Sequence, residues 1–196
     1  GNLGVVIERA AGSVLIVDTS ARKTLGRVSG LGDLSHASAV FSQDQRFAYL
    51  FGRDGGLSKI DLLTASIVGR IVQAGNAIGG AISDDGRLVA VSNYQPGGVR
   101  IFDAETLDAV ADIPAVGKDG KASKVVGLVD LPGRRFAYTL YDAGEIWIAD
   151  LSDTRNVGLT KLTDVGKLPY DGNVTPDGRH YLAGLFGEDG VARGDL

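Results

Sequence analysis

The side chains best suited to chemistry in this chain are His36 and a scatter of cations, Arg9, Arg53, Lys118, Lys121, Lys124 and Lys167. A neutral imidazole can ligate a metal, and a protonated one can act as an acid. His36 stands outside the periodic pattern described below: a shift of 41 residues sets it opposite Ala77, and a shift of 88 opposite Lys124. Its bland alternative is a ring bonded to a neighbouring loop carbonyl. The second histidine, His180, follows an Asp177-Gly178-Arg179 turn and reads as structural. Arg9 and Arg53 lie 44 residues apart, each just before a glycine pair or near-pair. With the lysines they could ring a small ligand that carries several carboxylates or phosphates, and Arg53 is the best placed because a guanidinium fork suits a bidentate carboxylate. The alternative for each lysine is a solvated loop charge.

The elements that must position these groups follow from a period. Asp18, Asp61, Asp103 and Asp150 each close a short apolar strand, with a weaker fifth case at Asp195, at intervals of 43, 42, 47 and 45 residues. Such self-similarity signals a repeat architecture. The best-formed unit runs from about Ser35 to about Gln73 and reads as strand, turn, strand, loop, strand, turn, strand: Ala37–Phe41, Phe47–Phe51, Leu57–Asp61 and Ile67–Val72. With these labelled A to D from the inside outward, the next unit places A at Ile78–Ser83, B at Leu88–Ser92, C at Val99–Asp103 and D at Ala109–Ile113. Two further copies follow, with turns at Leu131–Arg135 and Pro176–Arg179, and Leu3–Arg9 with Val14–Asp18 match strands B and C of a unit without an A strand. Four-stranded units of this length are the blades of a β-propeller. A sandwich, the alternative all-β architecture, would not repeat its turn chemistry so regularly. The reading is one partial propeller domain over residues 1–196, about 4.5 blades, and an expected fragment of about half of a longer chain, because the ring cannot close between a strand B and a strand C.

In a blade the A–B and C–D turns share one face, and the D–A and B–C connections share the other. Asp44, Arg46, Asp84, Arg87, Asp177 and Arg179 fall on the first face as turn residues. His36, Arg53, Asn93, Tyr94, Lys124 and Tyr170 fall on the second, in loops that vary over the repeating scaffold, where repeat proteins place their binding sites. Acidic residues of the same loops, Asp54, Asp142, Glu188 and Asp189, could meet a basic partner.

Composition narrows the function classes. A formal charge of −4 argues against a general nucleic-acid binder, and the absence of cysteine removes disulfides, thiolate catalysis and thiolate metal sites. No apolar stretch approaches the ~18 residues of a spanning helix. There is no phosphate loop ending in Gly-Lys-Ser/Thr, no strand-to-helix glycine fingerprint and no Gly-x-Ser-x-Gly elbow. Two classes remain: a funnel that holds a small polyanionic cofactor, and a cofactor-free scaffold that grips a protein partner on its rim.

Leu34-Ser35-His36-Ala37-Ser38, Tyr49-Leu50-Phe51-Gly52-Arg53-Asp54-Gly55-Gly56 and Val91-Ser92-Asn93-Tyr94-Gln95-Pro96-Gly97-Gly98 together resemble the NirF family of haem d1 maturation proteins and, more distantly, the eight-bladed d1 domain of cytochrome cd1 nitrite reductase. The resemblance implies a periplasmic eight-bladed propeller that binds haem d1 or its dihydro precursor in the funnel, late in maturation of the nitrite reductase cofactor. It implies, as partners, other haem d1 maturation proteins and nitrite reductase. It further implies His36 as the axial iron ligand or catalytic residue and Arg53 as a partner for the macrocycle carboxylates. Asn93, Tyr94, Lys124 and Tyr170 would line the pocket. An enzyme of tetrapyrrole-modifying, oxidoreductase type and a carrier of the cofactor are both compatible with that resemblance.

Overall fold

The structure, a computed structural model, describes residues 2–196. It is built of antiparallel sheets that follow one another along the chain. The first has three strands, β1 (Leu3–Glu8), β2 (Ser13–Asp18) and β3 (Lys23–Val28). The second has four, β4 (Ser38–Phe41), β5 (Phe47–Phe51), β6 (Gly56–Asp61) and β7 (Ser66–Val72). The third comprises β8 (Asn76–Ile82), β9 (Leu88–Gln95), β10 (Val99–Asp103) and β11 (Ala109–Ile113). The fourth comprises β12 (Val125–Leu131), β13 (Arg135–Leu140), β14 (Glu145–Asp150) and β15 (Gly158–Leu162), and the fifth β16 (Pro169–Val174), β17 (His180–Leu185) and β18 (Val191–Asp195). The first sheet thus holds strands B, C and D of a blade, and the fifth holds A, B and C. The A strands β4, β8, β12 and β16 are neighbours of one another, which places them innermost. This is the arrangement of propeller blades, as the period of the aspartates requires.

That period has a hydrogen-bond cause. The carboxylate of Asp18 accepts from the backbone N–H groups of Ser20 and Ala21, Asp61 from Leu63 and Thr64, Asp103 from Glu105 and Thr106, and Asp150 from Ser152. Each caps the C–D turn with its own side chain, the local bonding that favours aspartate in turns. Asp195 instead meets His180 Nε2 at 3.0 Å across the β17–β18 ladder. The A–B turns repeat a second device. Ser42 and Asp44, Ser83 and Asp85, and Thr175 and Asp177 pair hydroxyl to carboxylate. Each of these carboxylates also takes the N–H of the following arginine, 46, 87 or 179. Within the Asp84-Asp85 pair the turn role belongs to Asp85. Asp84 reaches the next blade instead, accepting from the N–H groups of Gly133 and Arg134, whose Leu131–Arg135 turn has no aspartate of its own.

The cores lie between sheets. Along β5 the side chains alternate: Ala48 and Leu50 join Val14, Ile16 and Val28 of the first sheet, and Tyr49 and Phe51 join Val89, Val91 and Phe102 of the third. Both faces of a middle strand are therefore buried, which is why its sequence reads as an apolar run, while the outer strands β7 and β15 are largely exposed. Strand limits differ from the sequence reading where bulges intervene. The inner strand expected at Ile78–Ser83 runs from Asn76 to Ile82, because irregularities between Asn76 and Gly79 let its pairing continue to Gln95, beyond the expected end of strand B at Ser92.

Candidate functional site

The inner strands carry bulges at the end that faces the D–A and B–C loops: between Asn76 and Gly79 in β8, Val125 and Leu128 in β12, and Pro169 and Gly172 in β16. A bulge re-aims the neighbouring side chain, and these flank Lys124 and Tyr170. The last two bulges are tied together by Thr139, fully buried on β13, whose hydroxyl accepts from Gly127 N–H at 2.9 Å and donates to Tyr170 O at 2.8 Å. Gly127 must lack a side chain there. A Cβ would lie 2.6 Å from Tyr170 O and 2.8 Å from both Gly172 N and the Tyr181 hydroxyl.

On this framework one row of side chains crosses four sheets. The Arg53 guanidinium lies 4.9 Å over the Tyr94 ring, and the Tyr94 and Tyr170 hydroxyls are hydrogen-bonded at 2.9 Å. Tyr170 in turn meets Tyr141 edge-on at 5.7 Å and Phe186 at 5.5 Å. Lys124 Nζ stands 5.4 Å over the Tyr141 ring. Burial, together with the hydrogen bond to Tyr170, pushes the Tyr94 phenol above its ordinary range, so it stays protonated at physiological pH.

The row follows a fixed offset in the sequence. Leu3, Phe47, Leu88, Arg135 and His180 are the strand-B residues paired with the five periodic aspartates. Six positions beyond them stand Arg9, Arg53, Tyr94, Tyr141 and Phe186. One blade position thus supplies a cation twice and an aromatic ring three times. Applying that fixed offset to the chain would have added Tyr141 and Phe186 to the candidates.

The remaining candidates separate. Asn93 is wholly buried: its amide donates to Gln73 Oε1 at 3.3 Å and accepts from Gln73 Nε2 at 2.9 Å. It supports the strand that bears Tyr94, and its side chain does not reach the funnel surface. His36 is exposed in the turn before β4, between the buried Leu34 and Ala37. Asp33 accepts Ser35 N–H with its carboxylate and Arg53 N–H with its carbonyl at 2.7 Å, so the loops of His36 and Arg53 are joined. No bond from the His36 ring to a loop carbonyl is present among the described residues.

Half of the expected ring of positive charge is paired, and Arg9 is among the cations without a carboxylate in ion-pair range among the described residues. Lys118 pairs with Asp164, Lys124 with Asp142 at 2.9 Å and Lys121 with Asp119 at 3.6 Å, whereas Arg53 and Lys167 have no carboxylate in ion-pair range among the described residues. The acids expected to face a basic partner are also mostly engaged: Asp54 holds Arg70 at 2.8 Å, and Glu188 accepts Lys167 N–H at 2.9 Å. On the opposite face a cleft of about 920 Å³ opens between the second and third sheets. Two of its three cations are committed, Arg46 to Asp61 at 2.8 Å and the buried Lys59 to the carbonyls of Ala104 and Glu105 at 2.9 Å, while Arg87 has no carboxylate in ion-pair range among the described residues.

A profile of the Cytochrome D1 heme domain matches residues 1–195. The chain belongs to the cytochrome d1 heme domain family. Among members related to it, Protein NirF of Pseudomonas aeruginosa is 63% identical over the whole chain and Protein NirF of Stutzerimonas stutzeri 56%. The chain covers 50% and 51% of those two proteins, so it spans about half the length of the curated relatives it matches. Dihydro-heme d1 dehydrogenase of Pseudomonas aeruginosa is 34% identical over 98% of the chain, which covers 38% of that protein. A solved structure described as dihydro-heme d1 dehydrogenase NirN in complex with DHE superposes on the entire chain with a TM-score of 0.88 at 30% identity, and the chain covers 42% of it. The d1 heme domain family is thus what sets the expectation for this face, and the likeness in fold extends through all five sheets.

Proposed function

We propose that residues 1–196 form one partial propeller domain of an eight-bladed protein. In this reading the domain binds haem d1 or its dihydro precursor across the D–A and B–C face, during a late step in maturation of the nitrite reductase cofactor. The observation that carries this reading is the convergence of Arg53, Tyr94, Tyr141, Tyr170 and Phe186 on one face, in a chain of the d1 heme domain family. A flat, iron-bearing macrocycle with carboxylate arms needs an aromatic surface to lie against, cations at its rim and a donor to its iron. The tyrosines and Phe186 would supply the surface, Arg53 and Lys167 two of the cations without an ion-pair partner among the described residues, and His36 the imidazole. The iron macrocycle supplies any redox chemistry when bound. The chain's residues would hold it: Arg53 as a carboxylate fork, His36 as a donor to the iron, and Lys124 and Tyr170 along the pocket wall, while the buried Asn93 would act only through the strand that carries Tyr94. In the same reading the setting is the periplasm, and the partners are other haem d1 maturation proteins and nitrite reductase. Among the described residues no helix is long and apolar enough to cross a membrane.

The test is a visible-absorption titration of haem d1 into the full-length protein and its His36→Ala variant, under oxidising and reducing conditions. A saturable spectral change whose axial-ligand signature disappears in the variant supports the reading. An identical spectrum in both removes His36 from the iron, and no uptake by either removes the cofactor.

A further inference from the structure

The Tyr94–Tyr170 contact joins the third and fifth sheets and skips the fourth, whose inner strand β12 packs against β8, β9 and β16. Both ends of this bridge are fixed from below. Tyr94 follows Asn93, locked amide to amide on Gln73, and the Tyr170 carbonyl is held by Thr139. The pair is therefore a placed feature, with the backbone at each tyrosine anchored by a separate buried hydrogen-bonded contact.

Its proton count matters. Two phenols carry two hydroxyl protons, and their mutual hydrogen bond uses one. The oxygen that accepts keeps its own O–H, and neither hydroxyl has another partner among the described residues. Accepting a hydrogen bond makes that second O–H a stronger donor. The Arg53 guanidinium lies over the ring of Tyr94, 4.9 Å from its centroid, with the Arg53 backbone N–H on the Asp33 carbonyl and no side-chain acceptor for the guanidinium among the described residues. A free O–H next to an uncommitted guanidinium is a receptor for one carboxylate: the cation provides the fork and the phenol the remaining donor.

We propose that the Tyr94–Tyr170 hydroxyl pair is a specificity-determining element that donates one O–H to a carboxylate on the rim of the tetrapyrrole, beside Arg53. This inference rests on the proposed function and names the chemistry by which the same site selects its ligand. A purely structural bridge would hold the sheets without reading the charge of the ligand, and that difference is measurable.

The full-length protein, unaltered and as Tyr94→Phe, Tyr170→Phe and the double variant, is titrated with haem d1 as the free acid and as its methyl ester, followed by visible absorption. Each phenylalanine keeps the ring and removes only the hydroxyl, so the aromatic row is preserved. The expected result is a loss of roughly 10-fold in free-acid affinity in the double variant and about two-fold or less for the ester, because a charge-assisted hydrogen bond is the stronger kind. Equal weakening of acid and ester overturns the inference and leaves the bridge a structural role, and so does unchanged binding of both. An unaltered protein that takes up neither form overturns the proposed function and this inference together, whereas uptake with no acid preference overturns this inference alone.

Discussion

Replacing Thr139 by valine probes the link from fold to site at its narrowest point. The substitution conserves shape and removes one hydroxyl, so no cavity forms. That hydroxyl is the partner of two groups on two inner strands, the N–H of Gly127 at 2.9 Å and the carbonyl of Tyr170 at 2.8 Å. Thr139 is fully buried, so water does not readily replace it. Leaving a buried polar group unsatisfied costs about 1–3 kcal/mol, and two are orphaned at once. Allowing for relaxation of the bulges, the full-length protein should lose about 2–4 kcal/mol of unfolding free energy. Urea denaturation reads this directly, with Thr160→Val on the exposed face of β15 as the control, expected within about 0.5 kcal/mol of the unaltered protein. Because the freed carbonyl belongs to Tyr170, ligand affinity should fall as well. A Thr139→Val protein as stable as the control would refute the claim that this hydroxyl ties the two bulges together.

Two further outcomes follow from the same geometry. Gly127→Ala sets a methyl 2.6 Å from Tyr170 O, and such overpacking should cost about 1–3 kcal/mol and weaken ligand uptake, while Gly184→Ala, with open space around it, should do neither; thermal melts and absorption titrations of both variants make the comparison. The hydrogen bonds from Arg46 hold the Asp61 carboxyl below its ordinary 3.8, so this group contributes stability that is fully present above the unfolded value and is lost as pH falls through the folded one. Urea midpoints should therefore drop as the pH is lowered below about 4, and drop less steeply in Asp61→Asn; parallel curves would contradict the assignment.

Much of the fold was legible because its signals are local. A strand-ending aspartate that bonds the backbone two and three residues on, as Asp103 does with Glu105 and Thr106, writes the blade period into the sequence directly. The strands Phe47–Phe51, Val99–Asp103 and Ala109–Ile113 have the limits that alternation and turn residues gave them. What stayed hidden was non-local. Asn93 could not be recognised as buried, because the amide that satisfies it is Gln73, 20 residues earlier. The pairing of Tyr94 with Tyr170 spans 76 residues and depends on bulges that no residue type announces. Lys124 lies on the D–A and B–C face, but its charge is shared with Asp142, a neighbour only once β12 and β13 have paired. The split of roles between Asp84 and Asp85 arises the same way, since Asp84 serves the turn of the following blade.

The most direct test of the account is a crystal structure of the full-length protein bound to haem d1. The account predicts the macrocycle on the D–A and B–C face, with one carboxylate within hydrogen-bond distance of Arg53 and of the Tyr94–Tyr170 pair, and with the His36 imidazole on the iron. A ligand seated in the cleft lined by Lys59 and Arg46 on the opposite face, or one that leaves Arg53 and both tyrosines untouched, would contradict it.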